Sequence, residues 1–183
     1  MSDFDGAIEF LLENEGGLIE DPNDAGGITN FGISLRFVRD LAPEKLRRYG
    51  IFDPVNDVTI RMLTLDQAKF IYRGEFWYVV DFEKIKYQSV CNYIFDMACN
   101  MGISQSIKIV QRSLWAVFFN RGVAKDDGIL GNDTLIRLNL LEPKEILTVL
   151  AASRASFCRL LAERYPKQKK FLNGWLDRCY KIQ

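Results

Sequence analysis

Apolar residues recur every three or four positions along most of the chain, which is the spacing of an amphipathic helix. The first such stripe contains Phe4, Ile8, Leu11 and Leu12. It stops at Gly16-Gly17, and glycine suits the position that ends a helix. The pattern therefore predicts a first helix that finishes just before two glycines.

Eight further helices are predicted from similar stripes and from residues that favour helix ends. Ser34 and Ser104 are predicted N-caps, and Thr64 with Gln67 forms a capping-box signature. Proline also suits the first turn of a helix. The predicted starts lie near Ser34, Pro43, Thr64, Val90, Ser104, Asp133, Pro143 and Phe171.

Two segments, residues 28–34 and 76–82, indicate extended structure instead. The chain is therefore predicted to be mainly α, with a small β element or Gly-rich loop near residues 18–34. A weak boundary near residues 84–89 divides it into residues 1–86 and 87–183. We expect these halves to pack together, because neither is long enough to bury much core alone.

The composition is that of a soluble globular protein. Of 183 residues, 48% are hydrophobic and 26% charged, and 24 Lys and Arg balance 24 Asp and Glu. Because these charges balance, the chain has no net positive charge that would attract nucleic acid. Apolar stretches fall far short of the ~20 residues that span a bilayer, so no stable membrane insertion is expected. The acidic segment Met1–Asp5 lacks the basic start of a signal peptide, so we expect synthesis in the cytoplasm.

The chain contains no histidine. This excludes Ser-His-Asp and Cys-His catalysis and zinc sites of the HExxH type. The four cysteines show no CxxC spacing, so a Cys-only zinc site is not expected either. No metal or organic cofactor is implied, and any hydrolysis must use carboxylates.

The cysteines are expected to be buried free thiols, since the chain lacks a signal peptide. Cys91 and Cys99 are predicted to share one helix, where eight residues separate them by about 12 Å, too far for a disulfide. A Cys158–Cys179 bridge remains conceivable.

Carboxylates cluster around a glycine-rich segment after the first helix. Glu15 ends that helix, Asp21 and Asp24 follow, and Thr29 lies beyond the pair Gly26-Gly27. Glycoside hydrolysis needs one acid to protonate the leaving oxygen and a second group to orient water or stabilise the sugar cation. Glu15 is the candidate acid and Asp24 the first choice for the second group, with Asp21 in reserve. Thr29 is a candidate for holding water.

Simpler explanations exist for each of these residues. Glu15 fits a solvated surface charge, because exposure is the usual fate of Glu. Asp21 and Asp24 flank Pro22-Asn23 and suit an ordinary turn. Thr29 fits a hydrogen bond to the local backbone. The glycines allow close approach of the backbone to a ligand, but a plain hairpin also explains them.

The segment EGGLIEDPNDAGGITNFGI, residues 15–33, resembles the N-terminal motif of glycoside hydrolase family 108, which contains bacterial and phage N-acetylmuramidases. Residues 95–102 resemble the family's helix along the cleft, and residues 127–134 a loop of its C-terminal peptidoglycan-associated region. Residues 154–175 match the typical tail. These blocks, in the right order, cover nearly the whole chain.

The resemblance implies a lysozyme-like, α-rich fold and hydrolysis of the β-1,4 bond between N-acetylmuramic acid and N-acetylglucosamine. It makes Glu15 the general acid. Glu15, Asp24 and Thr29 also follow the order of the Glu, Asp and Thr of phage-type lysozymes, at comparable but not identical spacing.

Candidate substrate-binding residues are the backbone at Gly26 and Gly27, the aromatic ring of Phe31, and the pair Asp96 and Asn100. The last two lie four apart, on one face of a helix. Asn100 is a candidate hydrogen-bond donor to an N-acetyl or hydroxyl group, but it also suits a helix end. Aromatic residues such as Phe31 stack on sugars, although they lie more often in a core.

We therefore expect a muramidase that binds peptidoglycan glycan strands as a monomer. It is expected to act in the periplasm or on the cell wall after holin-like release, as a phage endolysin or a secretion-associated enzyme. Two alternatives remain open. One is a lytic transglycosylase, and the other is a non-catalytic glycan-binding or secretion-accessory module.

Overall fold

The computed structural model describes residues 1–20, 27–52, 54–119 and 126–182. Within these ranges the chain is mainly α with one small sheet, which confirms the predicted fold class. The elements in chain order are α1 (Phe4–Asn14), β1 (Thr29–Asn30), β2 (Ile33–Ser34), α2 (Leu35–Arg39), α3 (Pro43–Arg48), α4 (Asp57–Arg61), α5 (Leu65–Glu75), α6 (Gln88–Met101), α7 (Ile103–Val117), α8 (Asn132–Leu140), α9 (Pro143–Arg164) and α10 (Leu172–Tyr180).

The chain divides into two compact units. One unit contains Ile8–Val79, and the other contains Met1–Ala7 together with Val80–Gln183. The predicted division into residues 1–86 and 87–183 remains a prediction.

In the unit Ile8–Val79, short polar caps fix where the small helices begin. The side chain of Ser34 accepts a hydrogen bond of 3.2 Å from the backbone N–H of Phe37, so α2 starts directly after β2. Thr64 and Gln67 form the predicted capping box of α5. Such caps satisfy backbone N–H groups that have no partner within the helix. Two of the sequence-predicted helix starts are thereby confirmed.

The larger unit is built around α6, in which every residue from Val90 to Ala98 is buried. A helix that is buried all round needs neighbours on several sides. Here α6 packs against α7 and α9, and α9 packs against α7 and α10. The core therefore lies along α6.

Two local predictions were wrong. Ser104 does not cap α7, because that helix already begins at Ile103 after Gly102, whose φ of +87° turns the chain between α6 and α7. Residues 76–82 are not extended, since they contain the 3₁₀ turn Trp77–Val79 and lead into a second at Phe82–Lys84.

Candidate active site

Glu15 directly follows the last residue of α1. Its backbone N–H donates a hydrogen bond of 3.1 Å to the carbonyl oxygen of Leu11, so it continues the geometry of the final helical turn. Glu15 is half-buried rather than fully solvated. The end of α1 therefore fixes the backbone position from which the Glu15 side chain extends.

The glycine-rich segment forms an antiparallel hairpin. Strand β1 pairs with β2 so that Asn30 faces Ile33, and the two turn residues Phe31 and Gly32 have φ of +50° and +77°. Positive φ at both central residues is the mark of the tight hairpin turn that matches strand twist. Ile19 extends this sheet by a bridge to Thr29, with N–O distances of 2.8 and 3.0 Å.

The Glu15 carboxyl group lies against this turn. A methyl group on Gly32 would lie 2.8 Å from Oε2 of Glu15 and 2.5 Å from the hydroxyl oxygen of Tyr72. Both distances are shorter than carbon–oxygen contacts normally are. Only a residue without a side chain fits between the carboxyl group and the tyrosine.

Tyr72 of α5 secures the turn from the other direction. Its hydroxyl group donates a hydrogen bond of 3.0 Å to the carbonyl oxygen of Phe31, and the residue is 3% exposed. Buried tyrosines normally use their hydroxyl group in this way. Tyr72 was missed in the sequence, where it is simply one apolar position of a helical stripe.

Two further contacts attach the β segment to α4. The buried Asn30 donates through Nδ2 to the carbonyl oxygen of Ile60 at 3.0 Å. Glu20, which directly precedes residues 21–26, forms an ion pair with Arg61. The hairpin beside Glu15 is thus anchored at both Asn30 and Phe31.

The other predicted residues of this segment are only partly covered by the structure. Asp21, Asp24 and Gly26 lie outside the described residues. Gly27 has φ of +73°, a conformation that side chains disfavour. Thr29 is half-buried, and its Oγ1 lies 3.5 Å from the carbonyl oxygen of Gly27, which is a long hydrogen bond.

Asp96 and Asn100 belong to the larger unit. Asp96 is fully buried, and its carboxylate accepts a hydrogen bond of 2.6 Å from Arg178 and pairs with Arg154 at 2.8 Å. Asn100 is exposed, and its side-chain amide donates to the backbone carbonyl oxygen of Asp96 at 2.8 Å. The two residues are therefore adjacent, but Asp96 faces arginines within the protein.

Arg154 is 3% exposed and forms an ion pair with the Asp96 carboxylate. Burial alone would lower its pKa, but interactions with Asp96 above all, and with Tyr93 and Cys179, raise the pKa of Arg154 on balance. Its guanidinium carbon also lies 5.4 Å from the ring centroid of Tyr93. A signal for this network exists in the sequence, because Arg154 stands on the same helical face as Leu150 and Cys158.

Within the described ranges, no helix is both long and apolar enough to span a membrane. The same ranges contain no cluster of three or more cysteine, aspartate or glutamate residues that could hold a metal ion.

Two family models and one solved structure match the chain. The family model described as Glycosyl hydrolase 108 matches residues 8–102, and the model described as Predicted Peptidoglycan domain matches residues 105–180. The structure of Brucella abortus SagA is similar at 25% sequence identity and a TM-score of 0.72, covering 96% of this chain and 88% of that one. No curated protein matches the chain.

Proposed function

Because this chain belongs to the Glycosyl hydrolase 108 family, we propose that it cleaves the β-1,4 bond between N-acetylmuramic acid and N-acetylglucosamine, with Glu15 as general acid. Family membership makes the protein a glycoside hydrolase, and the peptidoglycan domain in its second half identifies peptidoglycan as its substrate. The bond that is cleaved and the roles of single residues are the proposal.

The position of the Glu15 carboxyl group is the observation that carries this proposal. It follows a helix end and lies against Gly32, in a turn that Tyr72 and Asn30 hold in place. A general acid must be held within hydrogen-bonding reach of the atom it protonates. Fixing a carboxyl group between two anchored elements supplies that positioning before substrate arrives.

A second group must orient water or stabilise the positive charge on the sugar. We assign this role to Asp24, with Asp21 as the alternative, since both follow Glu15 in the same segment. Thr29 is proposed to hold the water, because its strand is adjacent to the turn against which Glu15 lies.

Substrate binding is assigned to the backbone at Gly26 and Gly27, the ring of Phe31, and the exposed amide of Asn100. The half-buried ring of Phe31 and the exposure of Asn100 support direct contact with sugars. Asp96 is proposed to contribute indirectly, because its carboxylate holds Arg154 and Arg178.

Digestion of purified sacculi tests the proposed reaction. Mass spectrometry of the soluble products should show reducing N-acetylmuramic acid ends. Ends in the 1,6-anhydro form would instead identify a lytic transglycosylase, and reducing N-acetylglucosamine ends would place the cut at the other glycosidic bond. Binding to sacculi without any release of fragments would favour a non-catalytic module.

The family places the protein's action at the cell wall. We also propose that the protein is released by a holin-like route and acts as a phage endolysin or a secretion-associated enzyme. A monomeric state is proposed as well. Light scattering coupled to gel filtration tests the monomeric state. Lysis of cells that express the protein with and without a holin tests the holin-like release.

A further inference from the structure

Two cysteines of the larger unit face each other across α9 and α10. The sulfur atoms of Cys158 and Cys179 lie 3.8 Å apart. Both residues are buried as free thiols, as the sequence predicted. They belong to a cluster with Ala155, against which Leu172 and Trp175 pack. A disulfide at this position would tie the final helix to the longest helix of the chain.

Of the two residues, Cys158 borders a cavity and Cys179 does not border it. Cys158 lines a cavity of about 140 Å³, together with Asn100, Phe157 and Trp175. Cys179 is fully buried and is not among the residues that line this cavity. A disulfide that enters this cavity would therefore encounter Cys158 before Cys179.

The surroundings also favour Cys158 as the nucleophile. Its hydrogen bond with Cys179, with a smaller contribution from the positive charges of Arg154 and Arg159, lowers the pKa of Cys158. The same hydrogen bond and burial raise the pKa of Cys179. By contrast, burial raises the pKa of Cys91 to about 12. Because the thiolate is the reactive form, these differences single out Cys158.

We propose that Cys158 and Cys179 are a site of thiol oxidation, at which Cys158 attacks first and Cys179 resolves. The thiolate of Cys158 attacks one sulfur of a donor disulfide and displaces a donor thiolate. Cys179 then loses its proton to water and attacks the sulfur of Cys158, which releases the second donor thiolate. The protein loses two electrons and two protons, and the donor disulfide becomes two thiols.

Action in the periplasm would expose the protein to a disulfide donor, so this inference rests on the proposed function. A wall-degrading enzyme in the periplasm meets disulfide donors that are scarce in the cytoplasm. Disulfide sulfurs lie about 2.0 Å apart, so the two thiols must approach each other by roughly 1.8 Å. The hydroxyl group of Tyr93 donates to the carbonyl oxygen of Cys179 at 2.6 Å, which anchors the α10 side of the bridge.

Oxidised glutathione and the full-length protein test the proposal directly. After incubation, two of the 4 thiols should be lost and the mass should fall by two hydrogen atoms. Peptide mapping should join residue 158 to residue 179. A disulfide that closes the loop between residues 158 and 179 should also raise the Tm by roughly 6–12 °C. A protein that keeps all its thiols at a large excess of oxidised glutathione, or that pairs other cysteines, would overturn the proposal.

Single variants test the order of attack. Cys179→Ser should accumulate a stable glutathione adduct on Cys158, whereas Cys158→Ser should leave Cys179 unmodified. Equal adducts on both variants would contradict the assigned order. Cys99→Ser serves as the matched control, because Cys99 lies outside the pair and its loss should leave the disulfide intact.

The disulfide and the proposed muramidase activity are measured separately. Glu15→Gln should oxidise as readily as the wild type even if it no longer cleaves sacculi. Wild-type protein that forms the bridge but leaves sacculi intact would argue against the proposed function alone. Protein that cleaves sacculi but never forms the bridge would argue against the thiol site alone.

Discussion

The carboxyl group of Glu15 packs against the backbone of Gly32, so that a methyl group at Gly32 would lie 2.7 Å from the carboxyl carbon. Glu15 follows a helix, whereas Gly32 occupies a hairpin turn with φ of +77°. Two elements of different kinds therefore meet at the proposed proton donor.

Glu15→Gln should abolish wall hydrolysis while leaving the fold intact. The amide keeps the size of the side chain but cannot supply a proton, and general acid catalysis contributes typically about 10²–10⁴-fold. Turbidity loss of purified sacculi measures the activity, and thermal denaturation measures the fold. Glu9→Gln, an exposed change on α1, is the matched control and should retain full activity. Full wall cleavage by Glu15→Gln would remove Glu15 from the mechanism.

Gly32→Ala should lower both stability and activity. Alanine at a positive φ costs about 1–2 kcal/mol, and its methyl group would also displace the Glu15 carboxyl group. A displacement of about 1 Å can reduce a rate by roughly 10²-fold. Urea unfolding and sacculus turbidity measure the two effects.

Gly17→Ala provides the comparison for Gly32→Ala, because a methyl group at Gly17 meets no atom within 4 Å among the described residues. This variant should keep nearly all of the activity. Similar losses in both variants would show that the effect at Gly32 does not depend on its contact with Glu15.

Tyr72→Phe should weaken the turn without removing any packing. The lost hydrogen bond to the Phe31 carbonyl oxygen is worth about 1 kcal/mol, which corresponds to roughly fivefold if the turn controls the reaction rate. Tyr78→Phe, at an exposed position, is the control and should have no effect. Activity is compared at temperatures at which every variant remains folded.

The double variant Gly32→Ala/Tyr72→Phe distinguishes contact from general destabilisation. Removing the Tyr72 hydroxyl group takes away the atom that would lie 2.5 Å from the new methyl group. The two changes should therefore cost less together than the sum of the single changes. If the loss in the double variant equals the sum of the losses in the two single variants, Tyr72 and Gly32 do not interact.

Most of the helices could be predicted from the sequence because their signals are local. The apolar stripe from Phe4 to Leu12 and the capping box at Thr64 each lie within a few residues, and both helices form where expected. Helix α4 was missed, although Asn56 and Thr59 form a capping box, because its five residues are too few for a clear stripe.

The contacts around the candidate site could not be read from local patterns. Tyr72 and Phe31 are 41 positions apart, and no local sequence pattern at either residue indicates contact with the other. Arg154 stands at an apolar position of α9, a pattern that signals a buried partner, but no such partner was predicted. The pattern also does not name Asp96 as that partner, and Asp96 was assigned to substrate binding instead.

Asp96→Asn should severely destabilise the larger unit. The carboxylate is fully buried and pairs with Arg154 and Arg178, so its replacement leaves buried positive charge without a counter-charge. Removing one member of a buried ion pair costs about 3–5 kcal/mol. Asp133→Asn removes a surface pair with Arg137, whose loss should cost about 0.5 kcal/mol or less.

Chemical denaturation of the Asp96→Asn variant also decides between two roles for this residue. If the carboxylate contacts the glycan, the variant should keep its stability and bind sacculi more weakly. If it holds the two arginines in place, stability should fall first, and Asn100→Ala should weaken binding without the same loss. The buried position of Asp96 and the exposed position of Asn100 favour the second outcome. Wild-type stability of Asp96→Asn would contradict it.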